Sequence, residues 1–76
     1  MSIRIAKAAF ARGLGDAGQV TSCAMGYARA GNTQMERYFI IYRKDGETNE
    51  LTVDVQFPES YEAKLFEAGQ TAAEGE

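Results

Sequence analysis

Gly13-Leu14-Gly15-Asp16-Ala17-Gly18 spells G-x-G-x-x-G, and with Val20 it extends to the glycine-loop pattern of protein kinases. Such a loop cradles phosphate when a strand runs into it; in the dinucleotide version a helix follows, its N-terminus facing the anion. Here the order is reversed: a helix is expected before the glycines and a strand after them. The chain is also too short to hold a kinase, and no lysine follows on a strand in the kinase arrangement. The motif therefore reads as a helix cap and a flexible turn. Cys23 is the only cysteine and the chain has no histidine, so the thiol lacks the base that would activate it. Between Ser22 and Ala24 on an expected strand, it reads as a small core residue. One thiol without histidine builds neither a disulfide nor a zinc site. Asp45-Gly46-Glu47-Thr48-Asn49-Glu50 is too short for a calcium loop, and the other carboxylates are spread over turns and helix surfaces. No catalytic residue, metal or cofactor is assigned, and the protein is expected not to be an enzyme.

The elements around these residues follow from periodicity. Ile3, Ile5, Ala6, Ala9 and Phe10 share one face of a helix over residues 3–12, with Ser2 as its N-cap and Gly13 just past its end. The alternation Ile3-Arg4-Ile5 also permits a short initial strand. Residues 13–19 form a glycine-rich connection. Residues 20–29 alternate, with Cys23, Met25 and Tyr27 opposite a row of small residues. Residues 34–43 form the strongest strand, rich in aromatic and β-branched side chains. Asp45-Gly46 marks a hairpin, and residues 50–57 place Leu51, Val53, Val55 and Phe57 on one face. Pro58 ends that strand, Ser60 caps a last helix with Tyr61, Leu65 and Ala68 inward, and Gly69 stops it. The fold class is α+β: a three-stranded antiparallel β-meander flanked by an N-terminal and a C-terminal helix, both helices on one face. Residues 1–69 are expected to form a single compact domain, and residues 70–76 a flexible acidic tail.

The order helix–three strands–helix is shared with double-stranded-RNA-binding domains, which clamp phosphates with lysines at the start of the last helix. Here that segment is Pro58-Glu59-Ser60-Tyr61-Glu62-Ala63-Lys64, with two acids before its only base, so the topology is shared and the clamp is not. The net charge of −3 conceals a division. Residues 1–44 hold seven bases and two acids, a net +5; residues 45–76 hold one base and nine acids, a net −8. The basic half leaves a weak nucleic-acid-binding reading open as an alternative, which the overall acidity disfavours. No apolar run approaches the roughly 20 residues that span a bilayer, and Met1 to Lys7 lacks the apolar stretch of a secretory signal. A cytoplasmic protein without membrane contact is expected.

The functional expectation rests on the second strand. Tyr38, Ile40 and Tyr42 lie on one face and Phe39 and Ile41 on the other, so both faces are apolar. A two-residue turn pairs Lys44 with Glu47, Ile40 with Leu51, Tyr38 with Val53 and Arg37 with Asp54, and turns Phe39, Ile41 and Met35 outward. A longer turn presents the tyrosine row instead. Either way, helices on one face leave large apolar side chains on the other, which marks an interface. The chain is expected to be a small protein-binding module that inhibits or adapts a partner by occluding its surface. Small phage-encoded inhibitors of host proteins, of the anti-CRISPR kind, are the analogy in size and composition. A structural homo-oligomer, such as a homodimer formed through the same face, is the other alternative. The expected contact residues are Met35, Arg37, Tyr38, Phe39 and Ile41, with Asp54, Glu59 and Glu62 as acidic, steering positions.

Overall fold

The computed structural model describes residues 3–75; the expected cap at Ser2 lies outside them. The first helix, α1, spans Ile3–Leu14. Its apolar stripe works as the spacing dictates: Ala6, Ala9, Phe10 and Leu14 are buried, while Arg4, Lys7, Ala8 and Ala11 stay exposed. Ile3 and Ile5, expected on the inner face, remain about two-fifths exposed at its start. A short 3-10 turn, Gly15–Ala17, leads into three strands: β1 (Gly18–Ala30), β2 (Thr33–Lys44) and β3 (Glu47–Gln56). The second helix, α2, spans Tyr61–Ala73. The strands form one antiparallel sheet in the order β1-β2-β3, which is the expected α-β-β-β-α architecture.

The β2–β3 hairpin sets the register. Asp45 and Gly46 both have positive φ, 55° and 78°, the backbone that a two-residue turn between twisted strands requires. Lys44 then faces Glu47, and the pairs Ile40–Leu51, Tyr38–Val53 and Arg37–Asp54 follow, as read from the sequence. Because side chains alternate, this single turn assigns Tyr38, Ile40, Val53 and Val55 to the core and Phe39 to the opposite face. The tyrosine-outward alternative does not occur.

Both helices pack on that core side. Phe10 meets Tyr42 with ring centroids 5.5 Å apart, and Tyr38 stacks on Tyr61 at 6.3 Å. Ser60 caps α2 as expected, its Oγ accepting from the Ala63 N–H at 3.4 Å. Two glycines expected to end helices do something else. Gly13 lies inside α1, and α2 runs through Gly69 to Ala73, so the tail expected from residue 70 is helical for another turn. A Cβ on Gly13 would land on the Phe66 carbonyl oxygen, and one on Gly69 on the Phe10 carbonyl oxygen. The helices therefore touch backbone to backbone here, and absence of a side chain, not a left-handed cap, is why glycine occupies both positions. The end of α2 is held by Lys44, whose Nζ donates to the Ala72 carbonyl at 2.8 Å, a favourable cation at a helix C-terminus.

The sheet outruns its cover. A strand of 13 residues reaches about 40 Å at about 3.3 Å per residue, whereas helices of 12 and 13 residues reach about 18–20 Å. The molecule is correspondingly elongated, 39 × 21 × 18 Å. On the helix side, the packed rows end at Met25 on β1, Tyr38 on β2 and Val55 on β3. Tyr27 and Phe57, next in their rows, lie beyond the helices.

Candidate binding surface

Opposite the helices, β2 carries Met35, Arg37, Phe39, Ile41 and Arg43 along the middle of the sheet. Their neighbours on β1 are Ala28, Gly26, Ala24 and Ser22, and on β3 Gln56, Asp54, Thr52, Glu50 and Thr48. The small β1 row leaves Phe39 without a neighbour tall enough to cover it. Its ring leans toward β1, where a Cβ added to Gly26 would sit 3.5 Å from Phe39 Cε2. Phe39 remains 44% exposed, and Met35 and Ile41 are half-buried. Neither helix folds over this face.

Beside Phe39, Arg37 and Asp54 form a two-point pair, Nε to Oδ1 at 2.8 Å and Nη2 to Oδ2 at 3.0 Å. The hydrogen bonds hold the Asp54 carboxyl below its ordinary value and the guanidinium above its own. The pair ties β2 to β3 through two roughly parallel hydrogen bonds. Further along, Arg43 donates to Thr48 Oγ1 at 3.2 Å and to the Gly46 carbonyl at 3.1 Å. An apolar centre thus has a polar rim.

A second apolar area, not expected from the sequence, lies at the overhanging end. Tyr27 is 69% exposed and Phe57 89% exposed. With Gln34, Met35, Glu36, Val55 and Glu59 they line a cleft of about 260 Å³. Met35 borders this cleft from the Phe39 row, whereas Tyr27 and Val55 belong to the helix side of the sheet. The signal was present in the sequence: Tyr27 and Phe57 continue the inward rows of their strands. Finding it required comparing strand length with helix length.

The expected contact residues divide. Met35, Arg37, Phe39, Ile41 and Asp54 come together on one face. Tyr38 does not join them: it is fully buried under the helices, where its hydroxyl donates to Glu36 Oε1 at 3.0 Å. Burial, with that carboxylate second, pushes the phenol well above its ordinary range. Glu59 and Glu62 stand apart at the start of α2. Glu59 accepts from the Gln56 N–H at 2.9 Å and lies 3.7 Å from Lys64 Nζ, and Glu62 pairs with Arg12 at 3.3 Å. Both charges are answered within the chain, which leaves Glu47, Glu50 and Glu67 as better carriers of a steering field.

Cys23 faces the helix side of β1 opposite Ile40 and packs against the core. Burial raises its thiol pKa, with Lys7 pulling weakly the other way, so the reactive thiolate is disfavoured. The glycine motif is split between the end of α1, the 3-10 turn and the start of β1. No α-helix begins there, so the helix N-terminus that faces the anion in a dinucleotide site is not formed by the motif. No helix among the described residues is long and apolar enough to cross a membrane. Comparison with protein-family models, curated proteins and solved structures finds no significant match for this chain.

Proposed function

We propose that this chain is a non-catalytic protein-binding module whose docking surface is the uncovered part of its sheet, centred on Phe39. The carrying observation is an aromatic ring 44% exposed on the central strand, flanked in its own row by the half-buried Met35 and Ile41. A lone exposed apolar side chain is ordinary, whereas a joined group of this kind is characteristic of contact surfaces. The polar rim of Arg37–Asp54 and Arg43–Thr48 fits the same reading. The β3 side of this face carries Glu50 beside Ile41, which favours a partner that frames its own apolar patch with basic residues. Occupying that patch would make the chain an inhibitor or adaptor by occlusion, the mode of small phage-encoded inhibitors of host proteins.

The test starts by capturing the partner, identifying it by mass spectrometry, and measuring affinity with both proteins purified. Phe39→Asp is expected to weaken binding by about 2 kcal/mol or more, roughly 30-fold. Its melting temperature should stay near that of the parent, because the ring is outside the core. Gln70→Glu, exposed on α2 on the other side of the molecule, should leave affinity unchanged. Phe10→Ala supplies the contrast. It removes a fully buried ring at a cost of about 3–5 kcal/mol, comparable with the whole stability of about 3–5 kcal/mol expected for a core this small, and should unfold. Undiminished affinity in folded Phe39→Asp sinks the proposed surface.

A further inference from the structure

The outer edge of β1 is the least defended part of the molecule. Residues 17–35 contain no acid, no proline and a single charge, Arg29, and one bulge between Val20 and Ser22 is the only irregularity in the pairing. Natural edge strands are normally shortened, charged or covered, because their free N–H and C=O groups accept another strand. Beside this edge, α1 and the first residues of β1 enclose a groove of about 410 Å³, lined by Arg4, Lys7, Ala8, Ala11, Gly18 and Val20 among others. The two alanines give it a low wall, and the two bases stand at its margin. α1 carries no acid. Among the described residues, Arg4, Lys7 and Arg29 have no ion pair or side-chain hydrogen bond, although Arg12, Arg37 and Lys64 each have an acidic partner.

We infer that the β1 edge receives an extended acidic peptide segment of a partner protein, which adds to the sheet as a fourth strand beneath α1. The backbone edge supplies the pairing, as in other strand-addition complexes. Arg4, Lys7 and Arg29 supply the charge preference, answered by carboxylates on the incoming strand. A second copy of this chain does not fit in the groove beneath α1. Packed helices need about 8–10 Å between axes, while the incoming strand lies about 4.8 Å from β1. α1 lies over β1 and α2 over β3. An edge strand of another copy would therefore bring its own helix into the space α1 occupies, and β1 against β1 would also set basic α1 against basic α1. The occupant is a bare segment without a helix above it. A nucleic-acid strand lacks the amides that complete a sheet edge, and the groove offers no ring for stacking.

Fluorescence anisotropy of the full chain tests this with four labelled probes. They are a peptide of about ten residues alternating Thr and Val with Glu, its Lys counterpart, the acidic peptide N-methylated at alternate residues, and a short single-stranded DNA. The acidic peptide is expected to bind, and the Lys, N-methylated and DNA probes to bind at least about tenfold more weakly. Arg4→Glu with Lys7→Glu, both exposed and outside the core, should weaken the acidic peptide by about tenfold or more without changing the melting temperature. In the complex, every second amide of β1 should exchange more slowly with deuterium. Phe39→Asp should leave peptide binding intact, which separates this inference from the open-face reading. It is overturned by no acidic-peptide binding, by equal binding of acidic and basic peptides, by undiminished binding of the N-methylated peptide, or by preference for DNA. A peptide-free mass near two chains in sedimentation, with β1 amides already protected, overturns it in favour of self-pairing.

Discussion

At the residue scale, Arg37 and Asp54 were placed opposite each other by counting outward from Asp45-Gly46, and the pair forms with two hydrogen bonds. Its consequence for stability has a definite sign. The folded carboxyl titrates below its ordinary value, so the unfolded chain binds its proton first as pH falls. The contribution is complete above about pH 4, where the unfolded carboxyl is ionised. It is lost as pH drops through the folded value. Asp54→Asn is therefore expected to lower the melting temperature at pH 7, with the gap to the parent closing below pH 4. Both side chains are one-third exposed or more, so the gap should be small and should narrow in high salt. A gap that persists unchanged at acid pH would show that the aspartate acts through something other than its charge. Tyr38 was the residue the sequence left ambiguous. Its face depended on the length of one turn, and the positive φ at Asp45 settled it inward.

At the scale of elements, the periodic faces and the hairpin were legible because their signals are local. The two glycines were misread for a physical reason. Gly at the end of an apolar stripe signals a C-cap when only the chain's own backbone is considered; it also permits two helices to touch, which is visible only once both are placed. The two readings predict opposite effects of alanine at Gly69. In a helix interior free of contacts, Gly→Ala stabilises by about 1 kcal/mol. Here the new Cβ would strike the Phe10 carbonyl oxygen and crowd the Leu14 nitrogen at 2.9 Å. Backbone cannot swing away as a side chain can, so the helices must separate, at an overpacking cost of about 1–3 kcal/mol or more. Gly69→Ala is expected to lower stability by about 1–2 kcal/mol net after the propensity gain. Gly13→Ala, against the Phe66 carbonyl, should behave alike, and urea titration measures both. Stabilisation by either would mean that the helices can part freely.

At the scale of the whole molecule, what the sequence concealed was a mismatch of lengths. β1 and β2 were recognised to within two residues at each end, but strand length was not set against helix length. The far ends of both strands extend past the helices. Along β2, Tyr38 and Ile40 lie under both helices' core, whereas Thr33 to Met35 belong to a ribbon with no helix above it and small β1 residues beside it. Amide exchange should follow that boundary. Groups that open without exposing core exchange through local fluctuation, and groups whose opening uncovers the core exchange only on global unfolding. The amides of Ala28–Met35 that pair in the ladder are expected to exchange markedly faster than those of Tyr38–Tyr42 at neutral pH. If the uncovered end is where a partner sits, these same amides should slow most when the captured partner is added, while Tyr38–Tyr42 stay near the limit set by global stability. Equal protection along the full length of β2 in the free protein would instead make the sheet one cooperative unit, and the overhanging end no more mobile than the part beneath the helices.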